Sequence, residues 1–182
     1  DELEAKAGEL LEQIQKDMLE RARAHRDSHT YTARNMEELE EIREREKGGM
    51  TGLLNIAGWR YGEAGNVKEP LSGKKAGAGT VYVNGPVSLA FPAKVLSGSY
   101  ESVMGKKDCV LTRELSWSLF GSVDTAGCQV DFGGKTYTVT AVIDKEEMVM
   151  FLTADEGAVQ KAAFSFSGRE RIDSKMKALG FE

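Results

Sequence analysis

The sequence predicts an α+β fold, with a mixed or antiparallel sheet, packed helices and a long N-terminal helical extension. Residues 1–48 are nearly half charged and almost devoid of β-forming side chains, whereas 50–182 are rich in Gly, Val, Thr and aromatics. Short alternating segments bounded by Gly recur through this second part, as expected of strands. Its helical patterns are isolated and do not alternate regularly with the strands, which argues against a doubly wound sheet. The expected division is a charged helical stalk or extension over 1–49 and an α+β core domain over 50–182.

In the first part Leu3, Ala7, Leu10, Leu11, Ile14, Met18 and Ala22 recur at three- and four-residue steps, so one apolar stripe runs along a long helix. Gly8 interrupts it at a cost of ~1 kcal/mol relative to Ala. Asp27–Ala33 breaks the pattern. Asn35 with Glu38 then makes a capping-box pair for a second helix, whose thin apolar side is Met36, Leu39 and Ile42 and which ends near Gly48-Gly49.

Beyond Gly52, Leu53–Trp59 reads as a strand, and the Gly- and Lys-rich stretch Arg60–Gly79 as an exposed loop. Thr80–Val83 and Val87–Phe91 are expected strands around Asn84-Gly85-Pro86, with Lys94–Leu96 extended and Gly98–Lys107 a loop. A strand ending at Val110-Leu111 leads to Thr112, the expected N-cap of a helix Arg113–Phe120 with Glu114 in its first turn and Gly121 as its stop. Val130 and Phe132 alternate with Gln129 and Asp131, and Gly133-Gly134 permits a two-residue hairpin turn. Tyr137, Val139, Ala141 and Ile143 then alternate with threonines, placing all four on one face. Met148–Leu152 and Ala162–Phe166 are further strands, and Ile172, Met176 and Leu179 mark a closing helix stopped by Gly180.

The net charge of −5 argues against nucleic-acid binding as the main activity. No apolar run approaches the ~20 residues of a membrane helix. The chain starts at Asp1 without an initiator Met or signal peptide, so Asp1 reads as a cut end. Cys109 and Cys128 are too few for a disulfide framework or a zinc site; they could bridge only if their strands lie side by side, and otherwise serve as small apolar residues.

Groups suited to chemistry are scarce. His25 and His29 lie four apart, but His-Arg-Asp-Ser-His lacks the glutamate of a zinc-protease helix, and two solvated imidazoles are the better reading. Residues 73–79, Gly-Lys-Lys-Ala-Gly-Ala-Gly, resemble a phosphate-cradling loop in composition only, since the ordered motif and its following helix are missing. Asp124, Asp131 and Asp144 fall near turns without calcium-loop spacing. The run Glu37–Lys47 is mixed in sign and reads as a solvated helix face. No catalytic, cofactor-binding or metal-binding residue is therefore assigned, no cofactor is expected, and the chain reads as a non-enzyme. The 60–79 loop, with Lys74 and Gly79, is a candidate contact surface because exposed tips often meet partners.

Val95–Tyr100 followed by 108–144, with Leu111-Thr112, Leu119-Phe120-Gly121, Asp124, Gly127, Gly133-Gly134 and Tyr137-Thr138-Val139 in order, resembles the extracytoplasmic domain of ABC-transporter permeases of the MacB/FtsX type. Cys128 stands where that family often has a basic residue, and Ala141 replaces a common Gly. The resemblance is good over 80–145 and extends to 50–182. It implies a non-catalytic domain between two membrane helices, at the extracytoplasmic face of the cell membrane. That domain would bind a cargo or accessory protein or transmit ATP-driven motion. The implied partners are a cytoplasmic ATPase subunit, reached through the membrane helices, and a second permease subunit.

Residues 13–42 are similar to a helix-and-linker stretch near the C-terminus of prolyl-tRNA synthetases, although the cysteine cluster that should follow Gly49 and all catalytic motifs are missing. This supports the alternative of a tRNA-associated fragment; a free-standing binding module is the third reading.

Overall fold

The computed structural model describes residues 35–47, 52–100, 104–167 and 172–178. They belong to two compact units. One comprises Ala33–Ser167; helix α4, Ile172–Ala178, belongs to the other. The α4 range starts at the expected Ile172, while Leu179 and Gly180 lie outside the described residues, as does the apolar stripe from Leu3 to Ala22. The composition break at 49/50 falls inside the larger unit.

Helix α1, Met36–Glu46, is capped as its sequence demands: the Glu38 amide donates to Asn35 Oδ1 at 2.9 Å. Met36, Leu39 and Ile42 are fully buried. They pack on strand β1, Leu53–Tyr61. Leu39 fits because Gly58 has no side chain: a Cβ there would sit 2.1 Å from Leu39 Cδ1. Arg43 fastens the helix by polar contact. One guanidinium nitrogen donates to the Ile56 and Asn84 carbonyls at 2.9 and 3.1 Å, and the other to Asn84 Oδ1 and to Glu40. Asn84 Nδ2 carries the chain of bonds on to the Ala154 carbonyl.

Past Tyr61 the chain continues into β2, Gly65–Lys68, and returns as β3, Lys75–Asn84, which pairs antiparallel with both β2 and β1. The expectation of a loop over Arg60–Gly79 is corrected. Its Gly and Ala content hides strands that need no bulky side chains, because Val67 and Ala78 point into an interior filled by larger neighbours. Val87–Phe91, expected as a strand, holds a helical turn, α2, Val87–Ala90. Pro86 presets the backbone, and the Phe91 amide closes the turn on the Val87 carbonyl at 2.8 Å. This drops the Phe91 ring between Trp59 and Phe151, at centroid distances of 5.1 and 4.9 Å.

The remaining elements are β4, Val95–Gly98; β5, Asp108–Thr112; α3, Arg113–Phe120; β6, Gln129–Phe132; β7, Lys135–Ile143; β8, Val149–Thr153; and β9, Lys161–Phe166. The strand order is β2-β6-β7-β5-β8-β3-β1-β9, with β4 on β7. The pairs β3–β8 and β5–β7 are parallel and the others antiparallel, so the sheet is mixed as expected. Because β2 pairs with both β3 and β6, strands β2, β6, β7, β5, β8 and β3 close into a ring.

Two hydrophobic centres result. The first holds Val67, Cys109, Leu111, Val130, Val139, Met150 and Leu152 under Leu115 and Leu119 of α3. The second, on the opposite face, holds Trp59, Val81, Val83, Val110, Ala141, Ile143 and Phe151. Here the predicted alternation of β7 is corrected. Cys109 faces Val139 but Val110 faces Ala141, so Thr140 is an extra residue and a bulge. Tyr137, Val139 and Val142 consequently serve the first centre, and Ala141 and Ile143 the second.

Candidate functional site

The unit α3-Gly121-β6-turn-β7 forms as its sequence requires. Gly121 takes the left-handed conformation (φ 67°) and its amide donates to the Trp117 carbonyl at 2.8 Å. Gly133 and Gly134, at φ 57° and 75°, make the hairpin turn. One detail is corrected: the Thr112 side chain makes no cap bond. Its hydroxyl instead accepts from the Val149 amide and donates to the Val149 carbonyl, at 3.1 and 3.2 Å, tying β5 to β8.

The connection from β2 to β3 is a built turn. Buried Glu69 accepts the Leu71 amide at 2.8 Å and the Ser72 amide at 2.5 Å on its two carboxylate oxygens. The Gly73 amide reaches the Glu69 carbonyl and the Glu69 amide the Lys74 carbonyl, at 2.9 and 2.8 Å. The Glu69 carboxylate is braced inward, and Leu71 is thrust out, 97% exposed. Between this turn, the end of α3 and Gly127–Gln129 lies a groove of about 860 Å³. Pro70, Leu71, Phe120 and Cys128 give it an apolar lining.

Hydrogen bonds from Ser72 and from the Leu71 and Ser72 amides hold the Glu69 carboxyl below its ordinary value of 4.5. A carboxyl with a depressed folded pKa stabilises the fold fully above its unfolded pKa, and that contribution disappears as pH falls through the folded value. The Leu71 and Ser72 amide signals in NMR are therefore expected to titrate with a midpoint below the ordinary carboxyl value of 4.5. A midpoint at or above 4.5 would contradict the brace. In E69Q the same two signals should lose this titration and shift towards unstructured positions at every pH.

The sequence-derived candidates are not brought together. Residues 75–79 of the Gly-Lys-rich stretch are strand β3, with Gly73 in the turn at φ 73°. Asp124 accepts from Ser97, Asp131 from Thr136 and Asp144 from Arg113, at 2.8, 2.7 and 2.5 Å, so each carboxylate is engaged locally. His25 and His29 lie outside the described residues. Among the described residues, no three His, Cys, Asp or Glu side chains are placed to hold one metal ion. Both thiols are free. Cys109 pairs with Val139 on one edge of β7, while the Val139 amide bonds the Cys128 carbonyl on the other. The two cysteines are thus two strand spacings apart, roughly 9–10 Å, beyond the reach of a disulfide. Burial, helped by Asp108, pushes the Cys109 thiol strongly up, away from the reactive thiolate.

What sequence reasoning missed is the groove and its Glu69 brace. The signal available was Glu-Pro-Leu-Ser-Gly: a carboxylate two and three residues ahead of free amides, ending in a glycine.

The fold defines a closed mixed sheet with helices on it, and the same architecture occurs in solved transporter domains. The extracellular domain of the ABC-type transporter YknZ from Gram-positive bacteria is similar at a TM-score of 0.57 and 14% identity, over 77% of this chain and 78% of that one. The periplasmic region of MacB from Actinobacillus actinomycetemcomitans gives 0.61 and 12%, over 78% and 70%. A domain of a putative permease from Porphyromonas gingivalis gives 0.52 and 12%, over 74% and 65%. At these identities the likeness establishes the fold, in agreement with the α+β class and the MacB-type architecture that the sequence resembles.

A second similarity covers a short N-terminal segment. It is 57% identical over 42 residues to the proline–tRNA ligase of Lachnoclostridium phytofermentans, 54% over 48 to that of Clostridium novyi and 61% over 41 to that of Lachnospira eligens. This chain spans about a tenth of the length of these ligases, 9–10%. No family model matches the chain.

Proposed function

We propose that residues 52–167 are the extracytoplasmic domain of an ABC transporter permease subunit. It works without chemistry of its own, as a stiff body that meets a cargo or accessory protein and passes on movement driven by a cytoplasmic ATPase. The ATPase and a second permease subunit are its expected partners, the first through membrane helices. The observation that carries this reading, beside the shared fold, is where the sheet is pinned. The Ser167 amide and hydroxyl both bond the Gly52 carbonyl, at 2.7 and 3.2 Å, and Leu53 faces Phe166. The sheet thus begins and ends at one point, with α1 packed on it just before, an arrangement suited to a body inserted between two adjacent membrane helices. Among the described residues no helix is long and apolar enough to cross a membrane.

The test is surface labelling of the full-length gene product in intact cells. With Cys128→Ser as background, Lys74→Cys is expected to react with a membrane-impermeant maleimide. Reaction only after lysis overturns the proposal. The ligase-like N-terminal segment favours a second reading, in which the chain associates with tRNA. It calls for tRNA binding that weakens steeply with salt; no such binding is expected here.

A further inference from the structure

We infer that Asn84-Gly85 is a covalent modification site, closed while α1 is docked on the sheet and opened to hydrolysis of the Asn84 side-chain amide when α1 leaves it. Asparagine is a thermolabile residue, and a following glycine makes it most so, because the next amide nitrogen is then unshielded by a side chain. The chain has four asparagines. Asn35, Asn55 and Asn66 precede Met36, Ile56 and Val67, and Asn84 alone precedes a glycine. That glycine is imposed by the fold: Gly85 sits at φ +108°, and a Cβ on it would stand 2.9 Å from an Arg43 guanidinium nitrogen and 3.0 Å from Ala57 Cα. The asparagine is equally required, as the relay between Arg43 and the Ala154 carbonyl. The most labile pair in the chain thus stands where α1 is fastened to the end of β3.

In the reaction the Gly85 nitrogen gives up its proton to solvent and bonds to Asn84 Cγ. The Cγ–Nδ2 bond breaks, the nitrogen takes up a proton and leaves as ammonia, and a succinimide ring remains. Water then adds to either ring carbonyl and breaks its bond to nitrogen, leaving an aspartyl or isoaspartyl residue. Water is consumed, ammonia is released, and no oxidant or reductant takes part. Attack requires Cγ to swing over the following nitrogen, and the docked structure holds the side-chain amide at both ends. Oδ1 accepts from Arg43, and Nδ2 donates to the Ala154 carbonyl at 3.0 Å. The other Arg43 nitrogen holds the Asn84 carbonyl at 3.1 Å, fixing the backbone that would have to turn. Asn84 is only 9% exposed, which keeps water and base from it. Since Arg43 belongs to α1, two of these three bonds depart with the helix. The product has no donor for the Ala154 carbonyl, an unpaired acceptor that weakens the original arrangement. Each hydrolysis is therefore a permanent record that α1 had undocked.

The experiment incubates the 182-residue chain in heavy-oxygen water at neutral pH and follows amide-to-acid conversion by peptide mass spectrometry. In the folded parent Asn84 should convert no faster than the exposed Asn66, and in the urea-unfolded parent it should convert first of the four. Arg43→Met should raise the rate at Asn84 about tenfold or more, because local opening of α1 limits it. Gly98→Ala, whose damage lies between β4 and β7, should leave Asn84 at the parent rate while the protein stays folded. A further measurement needs no variant. As urea rises below the global transition, Asn84 conversion in the parent should increase together with hydrogen exchange of the α1 amides, ahead of exchange in β5 and β7. Unchanged conversion in Arg43→Met, equal acceleration in both variants, or a rise in the parent only at global unfolding overturns the inference. So does conversion of the folded parent at the rate of the unfolded chain.

Discussion

Gly98→Ala is expected to be the most damaging glycine-to-alanine change among the described residues. Gly98 lies at φ +72°, and a Cβ there would stand 2.0 Å from the Thr140 carbonyl oxygen and 2.9 Å from the Ala126 methyl. The left-handed conformation alone costs an alanine about 1–2 kcal/mol. The overlap is worse, because its partner is backbone and cannot swing aside. That carbonyl accepts the Ser99 amide at 3.1 Å, and Gly98 is paired with Ala141 across β4 and β7. Relief requires β4 to leave β7. A loss of more than about 3 kcal/mol follows, measured as a shift in the urea midpoint at unchanged slope. Gly79→Ala is the control. Its Cβ would find only ordinary contacts, at 3.8 and 3.9 Å, so its midpoint should stay within about 1 kcal/mol of the parent. Equal effects at the two glycines would refute the steric account.

Arg43→Met should cost about 3 kcal/mol, because the methionine keeps the packing of the stem and removes the donors. The Ile56 and Asn84 carbonyls and Asn84 Oδ1 would all lose a charged partner at a site where the arginine is only 23% exposed. Losing a charge-assisted bond at a partly buried acceptor costs more than the net worth of an ordinary hydrogen bond. The damage should be local first. Amides of α1 should exchange faster than those of β5 and β7 in hydrogen-exchange measurements, since the helix would then rest on Met36, Leu39 and Ile42 and on the bond of the Met36 amide to the Gly157 carbonyl, without its polar fastening to Asn84 and Ile56. Uniform exchange across both regions would mean that Arg43 stabilises the domain as a whole and does not fasten the helix.

Where local rules and tertiary packing agree, the sequence was legible. Asn35 with Glu38, Gly121 and the Gly133-Gly134 pair each state a backbone conformation that neighbouring residues support, and each forms as read. The errors share a physical cause. Gly65–Lys68 and Lys75–Gly79 carry almost no β-forming side chains, so their strands exist because they pair with each other and because β6 offers a further backbone partner to Lys68, which no local pattern reveals. The β7 bulge is invisible because alternation continues through Thr140 in sequence while the pairing slips beside Cys109. The 60–79 stretch was nominated as a contact surface for being exposed. What its sequence does not reveal is that Glu69 organises the turn and that Phe120 and Cys128, some fifty residues later, complete the hollow beside it.

The supernumerary residue in β7 has a consequence for how the molecule can yield. A ribbon with uniform two-step rhythm could slide past its neighbours by a pair of positions and still hide its oily side. This one breaks step at Thr140, whose hydroxyl is hooked to the Cys109 carbonyl at 3.1 Å. It feeds one oily layer before the break and both layers after it. Only one threading satisfies both layers together, so β7 cannot change its register without uncovering part of one of them.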